Sequence, residues 1–367
     1  MPLFMDYHKG LSLSVEEVKK AHIADEAVQS KYGVIYHQFW VNEQDGTVFC
    51  LMEGPSKEAC AAVHREAHGD VACSIVEVAM GFYKLFMGNG HVIEQGHVTH
   101  SDGTTDSGIR TILVTHIQGV TTIKKSTDYT SLKTPYPAKD LTLSTVAAFK
   151  GREVNRPLDD SLVAVFDSSD QAVGCALRLQ KEFQSLRSNR ANDAWNIIFR
   201  MGLCTGQPLT ETGDLFAEAI TLGQRLCNIA NANELLISGK VQQLCNVREL
   251  ADGARNVRIL SSRELEFITN LFSISEEKLS DDCFTIESLS RNIGMSRPQL
   301  YRKTVSLTGK SPNDFIRDLR MDKALALIIN KAGNISEIAL EVGYNNPSYF
   351  ARCFQLRYGC TPSRLIA

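Results

Sequence analysis

All nine histidines of this 367-residue chain lie at or before His116. Imidazole is a transition-metal ligand and titrates near neutral pH, so the first third of the chain is where such chemistry is to be sought. Cys60, His64 and His68 follow one another at intervals of four, which on a helix puts them on one face. His8 and His37 fall in β-rich stretches nearby. Neutral imidazole and thiolate suit nickel, zinc or copper, and a histidine pair at i, i+4 can clasp one ion. A small residue such as Cys60 also serves simply to seat a helix on a sheet. Spacing alone leaves both readings open.

A second chemistry belongs to the other end. From Thr285 to Ala367 there are twelve Lys and Arg against six Asp and Glu, in a chain whose net charge is −3. Positive charge concentrated in this way is what contact with phosphates requires. The same stretch twice repeats one grammar. Thr285 caps a helix with Ile286, Leu289 and Ile293 at helical spacing, Gly294 turns the chain, and a second helix starts at Ser296 with Pro298 in its first turn. Ile335–Val342, Gly343 and a helix after Asn346 repeat the pattern. A helix, a glycine turn and a helix with exposed polar and basic residues is how a chain enters a major groove. The helix between the units, Asn313–Asn330, would span roughly 27 Å, which allows two recognition helices about one DNA turn, 34 Å, apart.

The elements that must position these residues divide the chain into five stretches. Residues 1–80 read as a βαββαβ module: a strand at Leu3–Tyr7, a helix capped by Ser14 and ended by Gly33, strands at Val34–Val41 and Thr47–Glu53, a helix from Ser56 to Gly69, and a strand at Ser74–Val78. That order is the ferredoxin-like split motif. Residues 81–108, rich in Gly, Ser, Thr and Asp, read as a flexible linker with His91, His97 and His100 solvated in it, in preference to a second metal site formed by those three histidines. Residues 109–249 alternate strands and amphipathic helices and predict an α+β domain with its own core. Residues 250–283 read as a charged, mostly helical connector. Residues 284–367 form the all-α tandem helix-turn-helix domain. The expected fold class is therefore multidomain: α+β ferredoxin-like, α+β cyclase-like for the reason given next, and all-α.

Three resemblances follow from these residues. The C-terminal stretch, with its trailing Phe350-x-x-x-Phe354 and Gly359-Cys360-Thr361-Pro362, resembles the AraC family of transcription regulators. That resemblance implies base contacts by Arg297, Tyr301 and Arg302 in the first unit, and by Asn346, Ser348, Tyr349 and Arg352 in the second. The first 80 residues resemble a family of small nickel-binding ferredoxin-like proteins in Phe4–His8, Tyr36–Val41, Val48–Leu51 and Val63–Gly69. The ligands this implies are drawn from His8, His37, Cys50, Cys60, His64 and His68, holding nickel or another transition metal. The middle stretch resembles the class III nucleotidyl cyclases in Val114–Thr121, Asp159–Phe166 and Arg200–Gly206. Of the family's two magnesium-binding aspartates only Asp160 is present; His116 stands at the other, and imidazole is a poor magnesium ligand. Arg156 and Asp214 occupy the purine-selecting positions. Thr221 and Arg225 stand where Asn and Arg stabilise the transition state. The resemblance implies a vestigial site in which Arg156, Asp160, Asp214 and Arg225 hold an adenine nucleotide without turnover, and a homodimer.

Composition sets the outer limits. Hydrophobic residues make up 43% and charged residues 22%, as in ordinary globular proteins. No apolar run is long enough to span a membrane and the N-terminus lacks a signal peptide's features. Ten cysteines without a C-x-x-C pair fit reduced thiols in a cytoplasm. The sequence thus predicts a non-enzymatic cytoplasmic one-component transcription regulator that binds double-stranded DNA, and RNA polymerase if it activates. Two other classes remain: an active cyclase fused to a DNA-binding domain, and a metal-buffering protein that regulates its own gene.

Overall fold

The computed structural model describes residues 1–10, 14–69, 72–88, 92–121, 136–154, 161–188, 195–210, 214–246 and 256–366. They fall into two compact units, residues 1–227 with 233–259, and residues 228–232 with 260–367.

The first unit contains two six-stranded sheets. The front sheet takes β1 (Leu3–Lys9), β2 (Ile35–Asn42), β3 (Thr47–Glu53) and β4 (Ser74–Glu77), with α1 (Val15–Val28) and α2 (Lys57–Ala67) between them. Their order is β4-β1-β3-β2, the split βαβ order that the sequence predicts. Local chemistry sets the helix starts: the Glu17 carboxylate accepts from the Ser14 backbone N–H at 2.8 Å, and the Ser56 hydroxyl accepts from Ala59 N–H. Both helices lie on one face of the sheet, over Phe4, Val34, Tyr36, Phe39, Val41, Val48 and Met52.

The stretch 81–108 is not the flexible linker expected. It holds α3 (Met80–Met87) and a hairpin, β5 (Val92–Glu94) and β6 (His97–Thr99), which extends the front sheet beyond β2. His97 is buried and stacked on Phe39 with ring centroids 5.5 Å apart. The polar composition that suggested a linker belongs to tight turns; Gln95 and Gly96, both at positive φ, make the hairpin corner.

The second face of the front sheet is buried as well. Met5, Tyr7, Trp40, Phe49 and Leu51 are almost wholly inaccessible. Trp40 meets Tyr83 of α3, and Gly108 packs against Trp40 and Phe49 so closely that a Cβ there would sit 3.3 Å from Trp40. The end of α3 is then tied to the second sheet. Its carbonyls at Leu85, Phe86 and Met87 accept hydrogen bonds from Arg110 and Arg152, the cations a helix C-terminus favours. Arg110 is wholly buried and forked onto Asp106 at 2.8 and 2.9 Å; Arg152 is forked onto Asp167.

The second sheet is built from β7 (Arg110–Thr121), β8 (Arg152–Val154), β9 (Leu162–Phe166), β10 (Trp195–Gly206), β11 (Glu234–Ser238) and β12 (Val257–Leu260), with α4 (Tyr136–Ala148), α5 (Ser169–Ser188), α6 (Ala217–Ile229) and α7 (Gly239–Leu244). Four of its strands repeat the front order as β10-β7-β9-β8, with β11 and β12 added beyond β10. Its core is apolar: Leu113, Ile117, Phe166, Phe183, Phe199, Met201, Leu235 and Ile237 pack against α4 and α5.

The second unit is all helical: α8 (Ser262–Glu277), α9 (Ile286–Ile293), α10 (Arg297–Thr308), α11 (Pro312–Ile329), α12 (Ile335–Glu341), α13 (Pro347–Tyr358) and α14 (Ser363–Ile366). Helix α8, expected as a connector, belongs to this unit. It buries Phe267, Ile268, Leu271 and Phe272, and Phe272 meets Phe315 of α11 edge-on at 4.9 Å.

Candidate functional site

On β1, alternation turns Asp6 and His8 toward the helices. Helix α2 brings His64 over them, and its end at His68 lies one turn further on. Helix α1 contributes Asp25. Asp6, Asp25 and His64 are at most 2% exposed and His8 is 7% exposed, a polar cluster inside an otherwise apolar layer. His64 is its centre. Its Nε2 lies 2.6 Å from Asp6 Oδ2, while its Nδ1 lies 3.3 Å from Asp25 Oδ1 and 3.2 Å from His68 Nε2. His68 Nε2 is in turn 3.3 Å from Asp25 Oδ1. Asp6 is held on its other oxygen by the Cys50 backbone N–H at 2.8 Å.

The electrostatics are coherent. Burial would push Asp6 up, but His8 and His64 offset this and hold its carboxyl well below the usual range. Asp25 is likewise held down against burial by His64 and His68. Burial would lower His64, yet the Asp25 and Asp6 carboxylates on either side of its ring push it up to about 10. Two carboxylates enclosed in a low-dielectric interior favour cationic partners beside them.

Asp25 Oδ1, His64 Nδ1 and His68 Nε2 form a nearly equilateral triangle with edges of 3.2–3.3 Å. Asp25 Oδ1, though buried, has no well-formed hydrogen bond. Such edges are the separation of neighbouring ligands around a transition-metal ion with bonds of about 2 Å. A donor set of two imidazoles and a carboxylate fits nickel, zinc or copper. The Asp6–His64 bond is the outer carboxylate that commonly orients a ligating histidine. The residues present therefore fit a metal ion.

The remaining residues expected at a metal site are placed differently. His8 joins Asp6 and His64, its Nε2 3.4 Å from Asp6 Oδ2. His37 lies apart, half-exposed at a bulge of β2, with its Nε2 3.5 Å from Glu53. Cys50 and Cys60 join neither three-residue cluster found among the described residues of this module. Burial pushes the Cys60 thiol up to about 11 and the Cys50 thiol well above its ordinary value, with Asp6 adding to both, which disfavours thiolate. Cys60 lies in the core under Gly54, the packing role its size suggested. Sequence reasoning missed Asp6 and Asp25. The signals were there: Asp6 shares a strand face with His8, and Asp25 sits on the buried side of α1 with Val18 and His22.

In the helical unit, Arg297, Tyr301 and Arg302 lie on α10, and Asn346, Ser348, Tyr349 and Arg352 begin or lie on α13; all seven are exposed. Tyr301 and Tyr349 are more than half accessible. Arg302 and Arg352 have no carboxylate partner among the described residues, whereas Arg297 pairs with Glu287. Asn346 also serves the fold, since its Oδ1 accepts from the Ser348 and Tyr349 N–H groups as the N-cap of α13. Arg357, further along α13, is tied to Asp318 and Asp322 of α11 and braces the unit.

Of the residues expected at a nucleotide site, Asp214 is exposed ahead of α6 and Arg225 is half-buried on it. Arg156 and Asp160 lie outside the described residues. His116 is on β7, paired in register with Arg200 of β10.

Comparison with known proteins bears on both ends. Residues 4–78 match the family described as nickel responsive protein SCO4226-like. Residues 289–367 match the family described as a helix-turn-helix domain. The HTH-type transcriptional regulator ExsA of Pseudomonas aeruginosa is 34% identical over 111 residues, 29% of this chain and 37% of that protein. Histidine kinase P4 of Formosa agariphila is 33% identical over 105 residues, 29% of this chain and 8% of that protein. The crystal structure of SCO4226 from Streptomyces coelicolor A3(2) is 40% identical, covering 21% of this chain and 96% of that one, with a TM-score of 0.21. The chain thus spans well under half the length of these two curated relatives. No helix among the described residues is long and apolar enough to cross a membrane. At its front this chain is similar to the nickel-responsive SCO4226-like proteins, and at its end to the helix-turn-helix domains of transcriptional regulators.

Proposed function

We propose that this protein is a cytoplasmic, metal-responsive transcription regulator. Asp25, His64 and His68 would hold Ni²⁺ or a chemically similar ion, with Asp6 orienting His64, and α10 and α13 would read double-stranded DNA. The observation that carries this reading is the triangle of donors formed by Asp25, His64 and the half-buried His68, in the same chain as two helix-turn-helix units with exposed arginines. In this reading the middle sheet is a cyclase-like domain kept for pairing two chains rather than for turnover, because His116 replaces a carboxylate that magnesium chemistry needs. A homodimer follows, as does contact with RNA polymerase if the protein activates.

The test is binding of the purified full chain to DNA from its own upstream region, with and without Ni²⁺, at fixed salt. A tenfold or larger change in affinity is expected. Ni²⁺ that binds the protein yet leaves DNA affinity unchanged would remove the sensor and favour metal storage. Arg352→Ala should cost about 1–3 kcal/mol on the specific site and much less on random DNA.

A further inference from the structure

The two helix-turn-helix units have equivalent turn glycines in unlike surroundings. Gly294 and Gly343 both adopt positive φ, +73° and +80°. A Cβ on Gly294 would meet nothing within 4 Å. On Gly343 it would lie 2.5 Å from the Leu279 carbonyl oxygen and 2.8 Å from Arg320 Nη2. The second turn is therefore pressed against the loop Leu279–Cys283, which leads from α8 into the first unit.

That loop is gripped at each residue from Leu279 to Asp282. Leu279 takes the glycine contact. The Ser280 hydroxyl donates to the Glu341 carbonyl at 2.6 Å and accepts from Lys323 of α11. The Asp281 carbonyl accepts from Arg320 of α11 at 2.8 Å. The Asp282 carboxylate accepts from the Asn345 amide. Asn345 immediately precedes Asn346, the cap of α13. At the loop's other end, Thr285 caps α9 of the first unit. One short segment is thus tied to the start of the first helix-turn-helix unit and to the turn of the second, although it contains none of the residues assigned to DNA.

We infer that the loop Leu279–Cys283 sets the spacing between DNA half-sites by fixing the second helix-turn-helix unit against the first. The inference rests on the reading that both units bind DNA, and it is independent of the metal. Without these contacts α11 would be the main link between the units, and helices bend gently over such lengths. With them, the second turn cannot move without breaking bonds to the loop, so half-site separation is held near one value.

The test is enrichment of bound sites from a random-sequence DNA library, using the full chain and two variants, Gly343→Ala and the pair Ser280→Ala with Asp282→Ala. The wild type should enrich two half-sites at one centre-to-centre spacing. Both variants should recover the same half-site sequences spread over neighbouring spacings. Affinity for the wild-type site should fall by about tenfold, the scale of one mismatched base pair. Gly343→Ala also places a side chain at positive φ, so the double variant, which only removes hydrogen bonds, decides if the first fails to fold. Variants that enrich the same single spacing as the wild type would overturn the inference. A wild type that enriches only single half-sites would instead overturn the reading that both units bind DNA.

Discussion

The two sheets of the first unit follow the same path through four strands and two crossing helices, yet their interiors differ in kind. Between α5 and its sheet lie Phe183, Phe199, Met201 and Leu203. At the corresponding level of the front sheet lie Asp6, Asp25, His8 and His64. An apolar interior gains stability from burial with little further requirement. A buried ionic cluster pays for desolvation, and its worth depends on every partner being present. The same backbone route can therefore enclose an apolar core in one place and an ionic cluster in another, and the side chains on one face decide which.

The largest expected effect separates the two interiors directly. His64→Ala leaves Asp6 and Asp25 buried without their shared cation and should cost about 3–5 kcal/mol of front-sheet stability. Phe199→Ala should cost a similar amount, about 3–5 kcal/mol, in the middle sheet by leaving a cavity. The two diverge on adding Ni²⁺. Saturating metal should raise the unfolding midpoint of the wild type and of Phe199→Ala, and leave that of His64→Ala unmoved. Equal stabilisation of all three would place the metal elsewhere.

Asp6→Asn is a finer cut. It keeps the shape but removes the charge that orients His64, so Ni²⁺ affinity measured by calorimetry should fall roughly 10- to 100-fold. His37→Ala, at the exposed bulge, should leave affinity within about twofold. A large loss at His37 with none at Asp6 would exchange the roles of these two residues.

A separate test of the ionic interior is in pH. His64 titrates near 10 rather than 6.5, so its contribution to the metal-free front sheet is fully present below about pH 6.5 and is lost as pH rises through about 10. Asp6 is displaced downward, so its contribution is present above about pH 3.8 and is lost as pH falls further, through its lowered value. Fluorescence of the buried Trp40 in a Trp195→Phe background should follow this window. Stability that keeps rising from pH 7 to 10 would contradict the ionic account.

Much of this architecture was legible in the sequence, because periodicity and punctuation are local. Ser14, Gly33, Ser56 and Gly69 mark the front helices. Thr285, Gly294, Ser296 and Gly343 mark the helix-turn-helix units. The histidine half of the candidate cluster was legible for the same reason, since His64 and His68 announce themselves by spacing. Asp6 and Asp25 did not, because a carboxylate's meaning depends on burial that only the assembled sheet creates. The stretch 81–108 misleads by its composition: three-residue strands such as Val92–Glu94 are too short to show a period, and the burial of His97 depends on a strand far from it in sequence. Arg110 was hidden similarly. It opens a strand whose following residues are apolar, and nothing nearby reveals that its guanidinium would be enclosed by α3.

The ties between α3 and the second sheet bear on how this protein can be taken apart. The segment that matches the nickel-responsive family ends at residue 78, but the front sheet relies on Tyr83, Gly108, Arg110 and Arg152 to cover one face and to anchor the helix that follows it. A fragment cut at the family boundary would expose Trp40, Phe49 and Tyr7 to water and tend to aggregate. A fragment meant to keep the front sheet intact would have to carry both sheets.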